Sequence, residues 1–194
     1  YPQDCSGDTL YAVDAATGEL IWKDNVADCD DAVTVHEGRV YCPGDTLWCL
    51  DAVSGERLWF YDGANRNGGS PIVVDGSVYC EAGFGGMVSD TSIVSSVDAI
   101  TGEINWTQKI PGRISSCMGL WESFLIVPTY ISNEYAPLTA IDIQTGQIVW
   151  QNTESYQGYW DSSPTIINDV IYIVLYDGKS KAIDASTGST VWES

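Results

Sequence analysis

Ala12-Val13-Asp14-Ala15-Ala16-Thr17-Gly18-Glu19-Leu20-Ile21-Trp22 is the stretch around which this chain is organised, because four more copies of it follow. They are Cys49-Leu50-Asp51-Ala52-Val53-Ser54-Gly55-Glu56-Arg57-Leu58-Trp59, Ser96-Val97-Asp98-Ala99-Ile100-Thr101-Gly102-Glu103-Ile104-Asn105-Trp106, Ala140-Ile141-Asp142-Ile143-Gln144-Thr145-Gly146-Gln147-Ile148-Val149-Trp150 and Ala182-Ile183-Asp184-Ala185-Ser186-Thr187-Gly188-Ser189-Thr190-Val191-Trp192. In each copy a short apolar strand runs into an Asp (Asp14, Asp51, Asp98, Asp142, Asp184) whose carboxylate can accept hydrogen bonds from the turn amides that follow. Thr or Ser comes next, and then a Gly where a five-residue hairpin loop needs a positive φ. The returning strand ends in Trp. A large ring recurring at one fixed offset reads as a docking element between neighbouring units rather than as five ligand sites.

The tryptophans stand 37, 47, 44 and 42 residues apart (22 to 59, 59 to 106, 106 to 150, 150 to 192). An all-strand repeat of about 40 to 45 residues belongs to propeller blades of four strands. The pattern A-x-D-x-x-T-G-x-x-x-W resembles the tryptophan-docking repeat of the PQQ-like (quinoprotein dehydrogenase) β-propeller superfamily, over nearly the whole chain. The resemblance implies an all-β propeller. It leaves activity open, because the same repeat serves quinone-dependent dehydrogenases and non-catalytic BamB-type binding propellers. The reading here is closer to the latter.

Composition narrows the partners. Apolar residues make up 44% of 194, enough for one domain with a proper core, and 19 glycines punctuate short alternating runs with no helical spacing between them. Against 27 acids stand only 8 Lys and Arg, a net charge of −19, which disfavours nucleic acid as a partner. High solubility outside the cell or adaptation to salt fits that charge. The sharper alternative is divalent-cation binding, for which Asp28, Asp30 and Asp31 form the densest cluster, without the spacing of a known calcium loop. Six cysteines (Cys5, Cys29, Cys42, Cys49, Cys80, Cys117), none in a C-x-x-C pair, suggest a disulfide set and an oxidising compartment. Blade register favours Cys5 to Cys29, Cys42 to Cys49 and Cys80 to Cys117 among the fifteen pairings that six cysteines allow. No run approaches about 18 consecutive apolar residues, so no membrane span is expected. A first residue of Tyr1 suggests a mature product after signal removal, or a segment of something longer.

Taken in order, a partial blade is expected over 1–24 and full blades over 31–62, 69–110, 114–152 and 161–194. Within them, Glu81 to Ser92 reads as a loop and Tyr130 to Pro137 as an insert before its motif. Four full blades and a half leave three ways to finish the fold: an open or irregular ring of five units, a longer chain, or completion by another molecule. Unpaired sheet edges and strand addition make self-assembly or a protein partner the natural reading of the last.

Candidate chemistry is sparse. The single histidine, His36, is expected at a hairpin tip as a solvated residue. Quinone-dependent members of the superfamily hold their cofactor over the channel mouth with a metal ion, a catalytic Asp and a vicinal disulfide. No adjacent cysteine pair exists in this sequence, and the chain has about half the blades of those enzymes, so their active site is not carried over. Residues preceding the first strands (Arg66, Asn67, Arg113, Tyr159, Trp160, Asp161) are expected at the channel mouth, where a polar ligand pocket could form. Asn105-Trp106-Thr107 is a glycosylation sequon in which Asn105 replaces Ile21, Leu58, Val149 and Val191 of the sibling copies, so an exposed position with an N-linked glycan is one reading and an unmodified surface Asn the other. The function expected is a non-catalytic, secreted or periplasmic scaffold without cofactor, binding protein or copies of itself. A quinoprotein-like oxidoreductase and a calcium-dependent adhesion module are the alternatives.

Overall fold

The computed structural model describes residues 9–25, 32–63, 69–82, 91–114, 116–159 and 162–194. Among them there is no helix. Strands β1 (Leu10–Val13) and β2 (Leu20–Asp24) form a two-stranded sheet, the partial first blade. Four antiparallel meanders of four strands follow. The second blade holds β3 (Thr34–His36), β4 (Arg39–Cys42), β5 (Thr46–Asp51) and β6 (Arg57–Asp62), and the third holds β7 (Ile72–Val74), β8 (Ser77–Ala82), β9 (Thr91–Asp98) and β10 (Ile104–Pro111). The fourth is β11 (Gly119–Trp121), β12 (Phe124–Pro128), β13 (Tyr130–Asp142) and β14 (Ile148–Gly158), and the fifth is β15 (Thr165–Ile167), β16 (Val170–Val174), β17 (Ser180–Asp184) and β18 (Thr190–Glu193).

Local chemistry sets these meanders. The first two strands of the full blades are joined by tight turns whose residues take positive φ: Glu37-Gly38 at 45° and 75°, Asp75-Gly76 at 49° and 74°, Asn168-Asp169 at 48° and 62°. Such primed turns match the twist of the strands they connect. His36 sits one residue before the first of them, paired with Arg39 in the ladder rather than at the tip. The third and fourth strands are joined by the motif itself, a loop of five residues between Asp51 and Arg57 in the second blade, where the Asp51 N–H donates to Glu56 O and the Gly55 N–H to Asp51 O.

Successive residues of a strand point to opposite faces, and this parity divides the apolar residues among four separate cores, each between two blades. Val40, Cys42 and Leu50 of the second blade pack with Leu10 and Trp22 of the first. Their neighbours Tyr41, Leu47 and Cys49 face the other way, onto Val78, Cys80, Val97 and Ala99 of the third blade. Tyr79, Val94 and Ile110 meet Leu125, Val127, Ile141 and Ile143. Ile126, Leu138 and Ala140 meet Ile171, Ile173, Ile183 and Ala185. Each fully buried side chain of this size contributes about 1.5–3 kcal/mol, far more than an exposed ion pair at about 0–1 kcal/mol. Apolar packing between blades therefore holds the fold.

The same parity corrects two of the expected disulfides. Cys49 lies opposite Tyr41 in the ladder and shares its face, whereas Cys42 lies opposite Trp48 and faces the first blade. The Cys42 to Cys49 pairing is therefore excluded; Cys49 is a buried free thiol, and Cys42 is disulfide-bonded to none of the other described cysteines. Cys80 points into the core with the second blade, away from the fourth blade that Cys117 precedes, so both are free thiols as well. The pairing of Cys5 with Cys29 lies outside the described residues. The expected insert also differs: Tyr130 to Pro137 continues β13, which pairs with a β14 running on to Gly158 through three register shifts. Polar Ser132, Asn133 and Glu134 read as loop, but an irregular ladder accommodates them.

Candidate functional site

The repeated motif builds one arrangement four times. Each motif Asp takes up its own turn: Asp98 Oδ1 accepts from the Ile100 N–H at 2.8 Å, the Thr101 N–H at 2.7 Å and the Thr101 hydroxyl at 3.1 Å, and the same set recurs at Asp14, Asp51, Asp142 and Asp184. Hydrogen bonds from the Thr, Ser and backbone donors of the turn hold all five carboxyls below their ordinary pKa.

Each indole then leaves its own blade. The residue before every Trp is an extra, unpaired residue in the ladder: Leu50 pairs with Arg57 and Cys49 with Trp59, which skips Leu58, and the same shift skips Ile21, Asn105, Val149 and Val191. A bulge of this kind bends the strand and re-aims the next side chain. The Nε1–H of Trp22 donates to Ala52 O at 3.0 Å, Trp59 to Ala99 O at 3.2 Å, Trp106 to Ile143 O at 2.9 Å and Trp150 to Ala185 O at 3.0 Å. Every acceptor directly follows the motif Asp of the next blade. The ring lies flat on that blade's motif glycine, where an added Cβ would come within 2.7 Å of Trp22 at Gly55, 2.7 Å of Trp59 at Gly102 and 2.6 Å of Trp106 at Gly146, and would collide with Trp150 at Gly188. The glycine thus has two reasons to be there, its φ of 71–75° and the indole above it. Only the first could be read from the sequence.

In two joints a tyrosine adds a second donor. Tyr41 OH joins Trp59 on Ala99 O, and Tyr79 OH joins Trp106 on Ile143 O, each at 3.2 Å. Burial pushes the Tyr41 phenol up to about 12. Polar links supplement the joints: Arg57 donates to the Asp24 carboxylate and to Asn25 O, and Asn152 Nδ2 donates to Gly188 O at 2.8 Å. Lys181, only 1% exposed, donates to Ser155 Oγ at 3.2 Å and is ion-paired with Glu154 and Glu193 at 3.7 and 3.5 Å. It pins the fifth blade to the fourth. Nothing singled it out beforehand, although three residues before the motif Asp the sibling copies place Tyr11, Trp48, Ser95 and Thr139.

Among the described residues, the first and last copies of the motif each take part in only one side of this arrangement. Trp192 is 44% exposed and its ring meets that of Tyr172, while among the described residues no atom lies within 4 Å of a Cβ built on Gly18. Val13, which precedes the motif Asp14, is 55% exposed, yet Leu50, Val97, Ile141 and Ile183 at the same position are fully buried.

The channel-mouth residues do not assemble a site among those described. Arg113 is tied by its backbone to Tyr130, and Tyr159 is fully buried in the core between the fourth and fifth blades, its OH accepting from Ser155 Oγ at 2.9 Å; burial pushes its phenol up to about 12. Arg66, Asn67, Trp160 and Asp161 lie outside the described residues, as do Asp28, Asp30 and Asp31. Among the described residues no cluster of three metal-ligating side chains occurs, and no helix is long and apolar enough to cross a membrane. Asn105 is exposed on its bulge and donates to the hydroxyls of Ser77 and Ser96 at 3.2 Å, beside a groove of about 440 Å³. Its sibling residues are exposed too, Ile21 at 58% and Leu58 at 44%, so the Asn replaces a surface residue and not a buried one.

Comparison with known proteins agrees with this architecture. A curated outer membrane protein assembly factor BamB of Moranella endobia (strain PCIT) is 22% identical over 132 residues, covering 63% of this chain and 32% of the relative. The crystal structure of BamB from Moraxella catarrhalis superposes with a TM-score of 0.77 at 22% identity, over 97% of this chain and 58% of that one. Quinohemoprotein alcohol dehydrogenase from Comamonas testosteroni gives 0.79 at 19% identity, over 97% of this chain and 40% of that one. This chain thus spans about a third to somewhat over half the length of these proteins. The family model described as outer membrane protein assembly factor BamB matches residues 6–116 and 90–194, and the chain belongs to that family of PQQ-like propellers.

Proposed function

We propose that this chain is a non-catalytic scaffold of the periplasm or the cell exterior, binding protein through the faces and edges of its terminal blades. The observation that carries the reading is the use of the motif: the Oδ1 of each of the five aspartates is engaged by its own turn and four of the five indoles by the next blade's carbonyl, so the repeated groups are spent on turns and joints. Supporting it are the name of the matched family, an assembly factor, and the disulfide at Cys42, which belongs to an oxidising compartment. Asn105, exposed on its bulge, is available for a glycan, and an unshifted peptide in mass spectrometry of native material would remove that feature.

The superposition on a quinohemoprotein dehydrogenase favours one competing reading, an oxidoreductase or part of one. Incubation with PQQ and calcium followed by gel filtration separates the two. The scaffold elutes without quinone absorbance; co-elution of the chromophore in stoichiometric amount would overturn the proposal.

A further inference from the structure

We infer that the groove at the joint between the third and fourth blades is a receptor for an arginine side chain of a partner protein. The inference rests on the scaffold reading and adds to it a binding site at an internal joint.

The repeat itself shows what sets this joint apart. Opposite the motif Asp, the second strand carries Arg39, Phe124 or Val170 in three blades and Ser77 in the third. Opposite the motif Trp stand Ala12, Cys49, Ala140 and Ala182 in four blades and Ser96 in the third. On the bulge the third blade again exchanges an apolar residue for a polar one, Asn105. These three substitutions are coupled, because Asn105 Nδ2 donates to both hydroxyls at 3.2 Å. With a serine where the siblings carry Arg, Phe or Val, a groove of about 440 Å³ stays open between Asp75, Ser77, Asp98 and Trp106 of the third blade and Gln144 of the fourth.

Its lining selects a cation that can also make planar contacts. Asp75 is exposed, the turn takes only Oδ1 of Asp98, and no Lys or Arg is among the described residues that line the groove. Burial raises the Tyr79 phenol and the carboxylates of Asp75 and Asp142 push it the same way, so the negative field reaches the floor of the groove. Trp106 and Tyr79 supply rings against which a guanidinium stacks better than an ammonium does.

The second blade holds a precedent within the chain. There Arg39, on the strand face that it shares with Tyr41, takes the place of Ser77. Its charge acts on Tyr41, Cys49 and Asp51, the counterparts of Tyr79, Ser96 and Asp98, and its Nε is buried. In the same blade Arg57 stands 4.6 Å from the Trp48 ring while donating to Asp24 of the first blade. Arginine is thus the side chain that this fold sets against carboxylates and indoles at its joints. The third joint keeps the carboxylate and the indole and lacks the arginine.

Nitrogen-edited NMR of the 194-residue chain, made in a host that does not glycosylate so that Asn105 is bare, tests this. The probe is N-acetyl-arginine methylamide, with its citrulline and lysine analogues as controls. The arginine probe should shift the Trp106 indole N–H and the Asn105 side-chain amide saturably, and less so as salt rises. Citrulline, equal in shape and uncharged, should bind at least about 5-fold more weakly, with lysine between the two. Ser77→Arg fills the groove from within and should abolish the shifts. Val53→Arg, which adds the same charge at a position 79% exposed in the second blade, should leave them unchanged. Should Ser77→Arg not fold, Asp75→Asn still decides the matter: at φ 49° an Asn is at home, and loss of the charge should weaken binding about 3-fold. Equal binding of citrulline, unchanged shifts in Ser77→Arg, Asp75→Asn as tight as wild type, or a groove that answers calcium and not arginine would overturn the inference. A chain that binds neither the arginine probe nor PQQ refutes this site alone; quinone retention refutes the scaffold reading beneath it.

Discussion

Trp106 and Trp192 hold the same position of the repeat and have opposite surroundings in space. The first lies on Gly146 with its N–H on Ile143 O, and the second stands 44% exposed beside Tyr172. The contrast between an occupied joint and a vacant one shows where the stability of this fold resides. An indole contributes little by being part of the motif and much by having the next blade's carbonyl and glycine beneath it.

The sharpest way to break that comparison is truncation. Trp106→Ala should cost about 3–5 kcal/mol of unfolding free energy, the range for removing a packed aromatic. Trp192→Ala in dilute solution should stay within about 0.5 kcal/mol of wild type, as exposed substitutions do. Chemical denaturation of the two variants measures both. A valine at the motif glycine gives the next contrast. Gly146→Val and Gly18→Val share the cost of placing a branched residue at positive φ, but only the former also drives a side chain into an indole. The melting free energy of Gly146→Val should fall further by about 1–3 kcal/mol, the usual range for overpacking.

Acid sharpens the comparison, because the Asp turn is common to occupied and vacant joints. The folded pKa of each motif Asp lies below its unfolded value of about 3.9. The stability they contribute is therefore fully present above that value and is lost as pH falls through the lowered folded one. Unfolding free energy measured from neutral pH downward should hold level until about pH 4–5 and then decline. Asp142→Asn should flatten part of that decline. Thiol chemistry provides a smaller effect: burial pushes Cys49 up to about 11 and Cys80 up to about 12, and both lie in one occupied joint. Alkylation followed by mass spectrometry should label the half-buried Cys117 first and the other two only on unfolding.

The repeat made most of the fold legible. One Asp-Thr/Ser-Gly turn and one Trp per copy locate the third and fourth strands of each blade, and Asp-Gly, Glu-Gly or Asn-Asp pairs locate the hairpin between the first two. What escaped was information carried by side-chain direction. Cys42 and Cys49 look like neighbours across a hairpin, yet counting back from the Asp51 turn places them on opposite faces. Asn105 looked like a polar intruder among apolar siblings until the bulge showed that all five residues at that offset are surplus to the ladder. The glycine's contact with an indole 33 to 43 residues away, and the burial of Lys181 between two carboxylates, depend on how blades abut, which the periodicity of a single strand does not encode.

The most direct test of the docking account is the set of five Trp→Phe variants of this chain, melted under identical conditions. Phenylalanine keeps most of the packing and removes the N–H, leaving a carbonyl short of a donor at a cost of about 1–3 kcal/mol. The account predicts a clear loss at Trp150, whose acceptor Ala185 O receives no tyrosine, smaller losses at Trp59 and Trp106, where Tyr41 and Tyr79 still donate, and no change at Trp192. Equal losses at all five, or the largest at Trp192, would contradict it.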